Sequence, residues 1–200
     1  MKQLRRLVCA LLLISISACW NKRTASDDTS GIGFQLLPPA AWPCAYSRVQ
    51  RLRSERNGEL QEFTALLQVS PAQLRLIGIN SLGLRLFELQ QTADGQLQLQ
   101  TRAELPDDFN PAWVLRDLQL TSAPLSALRA ALAPGWSLEQ DGQGGRQLRH
   151  KGQLEVSVSP LPSTDGTPSI RLSNHRHAYR LAVQTLQHNP ADGHSCGASE

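Results

Sequence analysis

Apolar and polar residues alternate with a period of two along much of the chain from Tyr46 to Leu105. Phe63, Ala65, Leu67 and Val69 alternate with Thr64, Leu66 and Gln68; Pro71 breaks the run, and Leu74 to Asn80 resumes it. Leu84 to Gln91 leads into Ala93-Asp94-Gly95, a hairpin turn signal, and Leu97, Leu99 and Thr101 then alternate with glutamines. Clean alternation of this kind predicts antiparallel strands with one buried face. Leu84 and Leu86 fall on one face of their strand and Phe87 and Leu89 on the other. That strand is therefore either covered on both sides or bulged.

The period lengthens in the middle of the chain. Val114, Leu115 and Leu118 follow helical spacing, with Asn110 placed to cap and Pro111 suited to the first helical position. A second short helix is predicted from Pro124 to Leu132, with Leu125, Leu128 and Leu132 on one face and Pro134-Gly135 as its stop. Alternation then returns. Trp136 to Glu139 and Gln147 to His150 flank Asp141-Gly142 as a hairpin, and Leu154, Val156 and Val158 form a further strand. Ile170 and Leu172 run to a turn at Asn174-His175, from which Tyr179, Leu181 and Val183 return. Strands, two helices, then strands predict an α+β fold: a curved antiparallel sheet, an unclosed half-barrel, with two short helices on its concave side.

The N-terminus carries a different signal. Met1 to Arg6 is basic and lacks an acid, and Leu7 to Ser17 is an apolar run of eleven residues. A membrane-spanning helix needs roughly 20 apolar residues, so the run has the proportions of a signal-peptide core. It ends in Ile16-Ser17-Ala18-Cys19, which reads as a lipobox. Cleavage before Cys19, a thioether-linked diacylglycerol on its thiol and acylation of its amine would leave a lipid anchor of about three chains, where about two suffice for stable attachment. Trp20, in place of an Asp that would favour retention at the inner membrane, points to the outer membrane and a periplasm-facing protein. The expected organisation is a signal peptide at 1–18, a lipidated polar tether at 19–34, a single domain at 35–187 and a disordered tail at 188–200.

Processing changes the charge and the cysteine count. The formal net charge is +3, but Lys2, Arg5 and Arg6 leave with the signal, so 17 basic residues face 17 acidic ones. A neutral chain gives no reason to expect a nucleic acid partner. Cys9 leaves with the signal and Cys19 is acylated, which leaves Cys44 and Cys196 in an oxidising compartment. A bond between them would close a long loop and stabilise the fold by about 4–5 kcal/mol in the chain-entropy picture. The alternative is two free thiols, with Cys196 in a frayed end.

Candidate chemistry is sparse. His175, His177, His188, His194 and Cys196 could be gathered into a metal site, but they fall in a turn and a Gly-rich end and read as solvated residues; no metal or cofactor is expected. Asp107-Asp108 suits a helix N-terminus through the dipole. Asp117 lies within the first helix, with Arg116 or Arg85 as its partner. A lone carboxylate without a base, nucleophile or metal is no catalytic site, although a buried polar cluster around it with a perturbed pKa would argue for an enzyme. Gly142-Gln143-Gly144-Gly145 sits within a hairpin pattern and reads as a turn, and no nucleophile-elbow or phosphate-loop motif is present. Leu67, Val69, Leu76, Leu84, Leu86, Leu97, Leu99, Leu118, Val156, Leu172 and Leu181 are the positions expected to line the concave face. They form either a filled core or a partly open apolar cavity for an acyl or polyene chain.

Several of these positions resemble a family of bacterial lipoproteins built on a domain of unknown function. The resemblance rests on Leu37-Pro38-Pro39, Gly83-Leu84-Arg85-Leu86-Phe87 and Val114-Leu115-Arg116-Asp117-Leu118-Gln119-Leu120. Pro124 with Leu128 and Leu132, Gly135-Trp136, and Asn174 with Tyr179-Arg180-Leu181 extend it, so that it covers about Leu36 to Leu186. Members are often encoded in aryl-polyene or related fatty-acid-like biosynthetic clusters. The architecture is similar to the LolA/LolB lipoprotein carriers, in which an unclosed barrel holds acyl chains under helical lids, an analogy of fold. The resemblance implies a non-enzymatic outer-membrane lipoprotein that binds or delivers a lipid, acyl or polyene-like molecule. Its partners would be the membrane, through the anchor, and the lipoprotein processing and sorting machinery. The alternative expectation is a structural or assembly lipoprotein that binds partner proteins.

Overall fold

A computed structural model describes residues 21–24, 33–102, 111–162 and 166–191. The first strands are β1 (Asn21–Thr24), β2 (Tyr46–Arg56), β3 (Glu59–Ser70), β4 (Gln73–Ile79), β5 (Arg85–Thr92) and β6 (Leu97–Thr101). Two helices follow, α1 (Pro111–Ser122) and α2 (Leu125–Ala130). The chain then forms β7 (Trp136–Gln140), β8 (Arg146–His150), β9 (Gln153–Leu161), β10 (Ser169–Asn174) and β11 (Tyr179–Pro190). All join one antiparallel sheet in the order β1-β6-β5-β4-β3-β2-β11-β10-β9-β8-β7. Among the described residues no pairing joins β1 to β7, so the sheet is unclosed, as the sequence pattern predicted.

The curvature follows from what α1 touches. It packs against both β6 and β10. Six strand spacings separate those two strands, which in a flat sheet would hold them roughly 29 Å apart. A 12-residue helix is only about 18 Å long, so the sheet must curl around α1. The concave face carries the core. In register across β2 to β6 lie Tyr46, Val69, Leu74, Gln91 and Leu97, then Leu67, Leu76, Leu89 and Leu99 one pleat along. The next pleat aligns Ala65, Gly78 and Phe87, and a Cβ at Gly78 would overlap the Phe87 ring. Leu138, Leu148, Val156 and Leu172 continue the face on the other arm.

Helix α1 departs from the expected amphipathic pattern. Leu115 to Leu120 are all buried, and Arg116, Asp117 and Gln119 are among them. Gln119 compensates by pairing with the Leu37 backbone: its Nε2 donates to Leu37 O and its Oε1 accepts from Leu37 N, both at 2.9 Å. The segment before β2 is thereby fixed beside α1, and Phe34 bridges to Leu132. The Arg146 guanidinium donates to the Leu120 and Ala123 carbonyls, closing the C-terminal end of α1, where free carbonyls need partners.

Three boundaries differ from the sequence expectation. Asn21–Thr24, expected within the tether, pairs with β6 as an edge strand. An edge strand needs only backbone groups, so no apolar alternation announces it. Phe34 is buried in the core, so the domain begins before residue 35. The expected tail at 188–200 is also too long: β11 continues through Pro190, with His188 opposite Arg48 and Pro190 opposite Tyr46. A bulge between Thr185 and Gln187 shifts the side chains by one and ends the alternation that marked the strand. A second bulge, on β5 at Leu86, lets Gly78 pair with Phe87 and Ile79 with Arg85. It resolves the two-faced apolar pattern there in favour of the bulged alternative.

Candidate functional site

The concave face is filled at one end and hollow at the other. Strand β2 shows the gradient, because its cavity-side residues run Arg56, Ser54, Leu52, Gln50 in steps of two. Beyond Gln50 the face is closed by Tyr46, Val69 and Leu74, all buried. Toward Arg56 the walls separate around a half-open cavity of about 490 Å³. Such a volume lies in the range of small-molecule sites. Leu52, Phe63, Leu76, Leu181 and Val183 form its sheet wall, and Trp113, Val114, Leu118 and Thr121 on α1 form the opposite wall. Arg56, Asn57, Glu59 and Gln61 of the β2–β3 hairpin, together with His177, make a polar rim.

One polar cluster meets the cavity. Arg116 Nε and Nη2 donate to Asp117 Oδ1 at 2.9 and 2.6 Å, and Nη2 also donates to the Tyr179 hydroxyl at 2.9 Å. The Tyr179 hydroxyl in turn donates to Asp117 Oδ2. Of the two partners anticipated for Asp117, Arg116 is the one observed; Arg85 instead binds Glu88 at 2.6 Å. Burial raises the Asp117 carboxyl above its usual range, with the Arg116 charge opposing. Burial would lower the Arg116 guanidinium, but Asp117 and Tyr179 hold it above its ordinary value. Burial and the Asp117 charge raise the Tyr179 phenol. The triad thus keeps one internal ion pair with both carboxylate oxygens occupied.

His177 closes the rim. Its ring lies 4.0 Å from the Trp113 ring at an interplanar angle of 34°. Its backbone N–H donates to Asn174 Oδ1, which ties down the turn between β10 and β11. Burial, followed by repulsion from Arg116, Arg176 and Arg56, lowers its pKa, with Asp117 opposing. The other described histidines lie apart: His150 stacks on Trp136 with ring centroids 4.6 Å apart, His175 meets Ser157 Oγ at 3.1 Å, and His188 accepts from Arg48 Nε at 2.9 Å. No metal-binding group of three or more ligands occurs among the described residues. Asp141 Oδ1 accepts from the Gln143 and Gly145 backbones, so the Gly142–Gly145 segment is a side-chain-closed turn.

Of the eleven positions expected on the concave face, Leu76, Leu118 and Leu181 line the cavity. Leu67, Val69, Leu97, Leu99, Val156 and Leu172 are buried in the filled part, and Leu86 packs against it at the bulge. Leu84 is corrected: it precedes β5 in the turn and is 61 % exposed. The sequence reading missed the β2 wall, because Leu52 is the only leucine among the alternating Gln50, Leu52, Ser54 and Arg56. It also missed Phe63, Trp113 and His177 as cavity residues. Cys44 is disulfide-bonded, while Cys19, Cys196, His194, Asp107 and Asp108 lie outside the described residues. The chain leaving β11 returns beside Cys44, since Ala191 N donates to Ala45 O at 3.0 Å.

A family model described as a protein of unknown function, DUF3261, matches residues 47–187. No curated protein matches the chain. Among solved structures, a candidate outer-membrane lipoprotein-sorting protein domain from Vibrio parahaemolyticus is similar at 7 % identity and a TM-score of 0.39, over 76 % of this chain and 87 % of that one. A DUF1329 family protein from Desulfovibrio piger is similar at 10 % identity and a TM-score of 0.32, over the same shares of the two chains.

Proposed function

The chain belongs to the DUF3261 family of proteins of unknown function, and from that premise we propose that it is a lipid-anchored, non-enzymatic lipoprotein whose half-barrel binds a lipid-like apolar molecule. The anchor is Cys19, exposed by signal cleavage, and the setting is the periplasmic side of the outer membrane. The lipoprotein processing and sorting machinery would deliver it there. The single observation that carries the binding role is the cavity of about 490 Å³, apolar within and polar at its rim. An acyl or polyene-like chain fits that distribution, because burying apolar ligand surface is the main driving force such walls offer.

The strongest argument for catalysis is the buried cluster at Asp117, with its raised carboxyl. Its geometry favours a positioning role instead. Asp117 Oδ1 takes two hydrogen bonds from Arg116 and Oδ2 takes one from Tyr179. The nearest imidazole, His177, stacks on Trp113. A scaffold that binds partner proteins is a second reading. It draws on Leu60 near the start of β3 and on Leu82 and Leu84 in the β4–β5 connection, which are 67 %, 80 % and 61 % exposed.

Native mass spectrometry tests the leading reading. The wild-type chain extracted from host membranes should carry an acylated Cys19. The full chain with Cys19→Ser should co-purify with a small amphiphile released on mild activation. A bare polypeptide mass under conditions that preserve non-covalent complexes would contradict it.

A further inference from the structure

Edge strand β1, the cavity mouth and the exposed leucines share one end of the sheet. β1 begins at Asn21, opposite Thr101 on β6, and Thr101 lies opposite Phe87 on β5. Two residues before Phe87, β5 emerges from the turn at 80–84, which carries the exposed Leu82 and Leu84. β3 starts at this end too: Thr64 pairs with Ile79 just before that turn, and the exposed Leu60 lies four residues closer to the β2–β3 hairpin tip. Arg56 pairs with Tyr179 here, which puts the cavity rim and its His177 at the same end. Cys19 stands two residues before Asn21, a link that reaches at most ~7 Å. A loose tether over 19–34 would leave the domain free to turn on its anchor, and the pairing of Asn21–Thr24 with β6 removes that slack. Charge is distributed the same way. Among the described hairpin turns, those at the mouth end carry the exposed Lys151 and Arg176, and those at the opposite end carry the exposed Asp94 and Asp141.

We propose that this end of the half-barrel lies against the bilayer in which Cys19 is anchored, with Leu60, Leu82 and Leu84 in its interfacial layer and the cavity mouth open to the leaflet. This rests on the lipid-anchor reading above and adds an orientation and a route: an apolar guest passes between leaflet and cavity without crossing water. The short link from Cys19 to β1 carries the argument, because it holds this end of the sheet, and no other, next to the anchor. Three exposed leucines gain from burial in a lipid surface, where solvent would leave them a standing apolar patch. Lys151 and Arg176 then meet anionic headgroups, whereas the reverse orientation would bring Asp94 and Asp141 against them. A protein partner could cover the same leucines, but the position of Cys19 favours lipid.

Hydroxyl-radical footprinting tests this on the lipidated wild-type chain, extracted from host membranes and reconstituted alone into phosphatidylethanolamine–phosphatidylglycerol vesicles. Leu186 is the internal control. It is 45 % exposed and stands seven residues along β11 from Tyr179, roughly 23 Å from the mouth. Leu60, Leu82 and Leu84 are all more exposed than Leu186, so in open solvent they would oxidise faster. Against the bilayer they should oxidise several-fold more slowly than Leu186. Leu82→Asp together with Leu84→Asp, both in an exposed turn, should return Leu60 to a rate above that of Leu186. Leu60 oxidising faster than Leu186 in the wild-type chain, or staying protected in the double variant, would overturn the orientation and leave the anchor and the cavity standing. Protection in whole host membranes that is absent from the vesicles would overturn it in favour of a protein partner. A Cys19 peptide without added acyl mass would overturn the anchor reading and this proposal with it.

Discussion

Arg116 and Asp117 are neighbours in sequence, and both are buried. Two unpaired charges at that depth would each carry a large desolvation penalty, so the pair persists only because the partners satisfy one another and Tyr179 completes them. Replacing one partner leaves the other charged, with the neutral Tyr179 hydroxyl in place of its counter-ion. Asp117→Ala should therefore lower stability by about 3–5 kcal/mol in urea unfolding, whereas the double change Arg116→Met, Asp117→Leu should cost less than Asp117→Ala by itself. A loss below about 1 kcal/mol for Asp117→Ala would contradict the pairing. The sequence pointed to Asp117 and gave Arg116 as one of two partners. It could not reveal Tyr179, which arrives from a strand 62 residues away.

His177 belongs to the same scale. Its pKa lies below the ordinary 6.5, first through burial and then through the surrounding guanidinium groups. The folded chain therefore favours the neutral ring more than the unfolded chain does. Its contribution to stability is fully present above pH 6.5 and is lost as pH falls through the folded-state pKa. An NMR titration of the His177 ring should give a midpoint below 6.5, and a midpoint above it would contradict the packing at Trp113.

At the scale of elements, the strands with strict alternation were legible and the bulged or edge strands were not. The hairpins β3–β4 and β5–β6 pair as their patterns predict, because each presents one apolar face. β1 left no pattern, because edge pairing is a backbone property. β11 was cut short because its bulge reverses the faces after Thr185. The consequence is measurable with two chains that both lack Cys196. A chain ending at Ala191 should be more stable than one ending at Gln187 by about 2 kcal/mol, at roughly 1 kcal/mol per hydrogen bond lost. Equal stability would mean that residues 188–191 are dispensable, as a tail would be. α1 was legible in position but not in burial. Helical spacing marked Val114, Leu115 and Leu118, while the curling of the sheet around the helix also buries Arg116 and Gln119.

At the scale of the molecule, the pattern of strands, helices and strands sufficed for a curved, unclosed antiparallel sheet over two helices. Periodicity could not decide whether its concave face was hollow or full, because it marks which residues face inward and not how far the opposite wall stands. The answer differs along the sheet. Leu67, Leu89 and Leu99 share one buried core with Leu115 of α1 and close the interior. The β2–β11 region, with Ser54 and Arg56 facing inward, leaves it open. Positions expected on the concave face from their leucines thus fell mostly in the filled part, and the cavity opens where Ser54 and Arg56 replace leucine on β2.

The central claim is that this hollow end holds an apolar guest. Its most direct test is native mass spectrometry of the full chain with Cys19→Ser, isolated from its own host without added lipid. The expected result is a complex heavier than the polypeptide by a bound amphiphile, with the excess mass lost on mild activation. A spectrum showing only the polypeptide mass would contradict the claim.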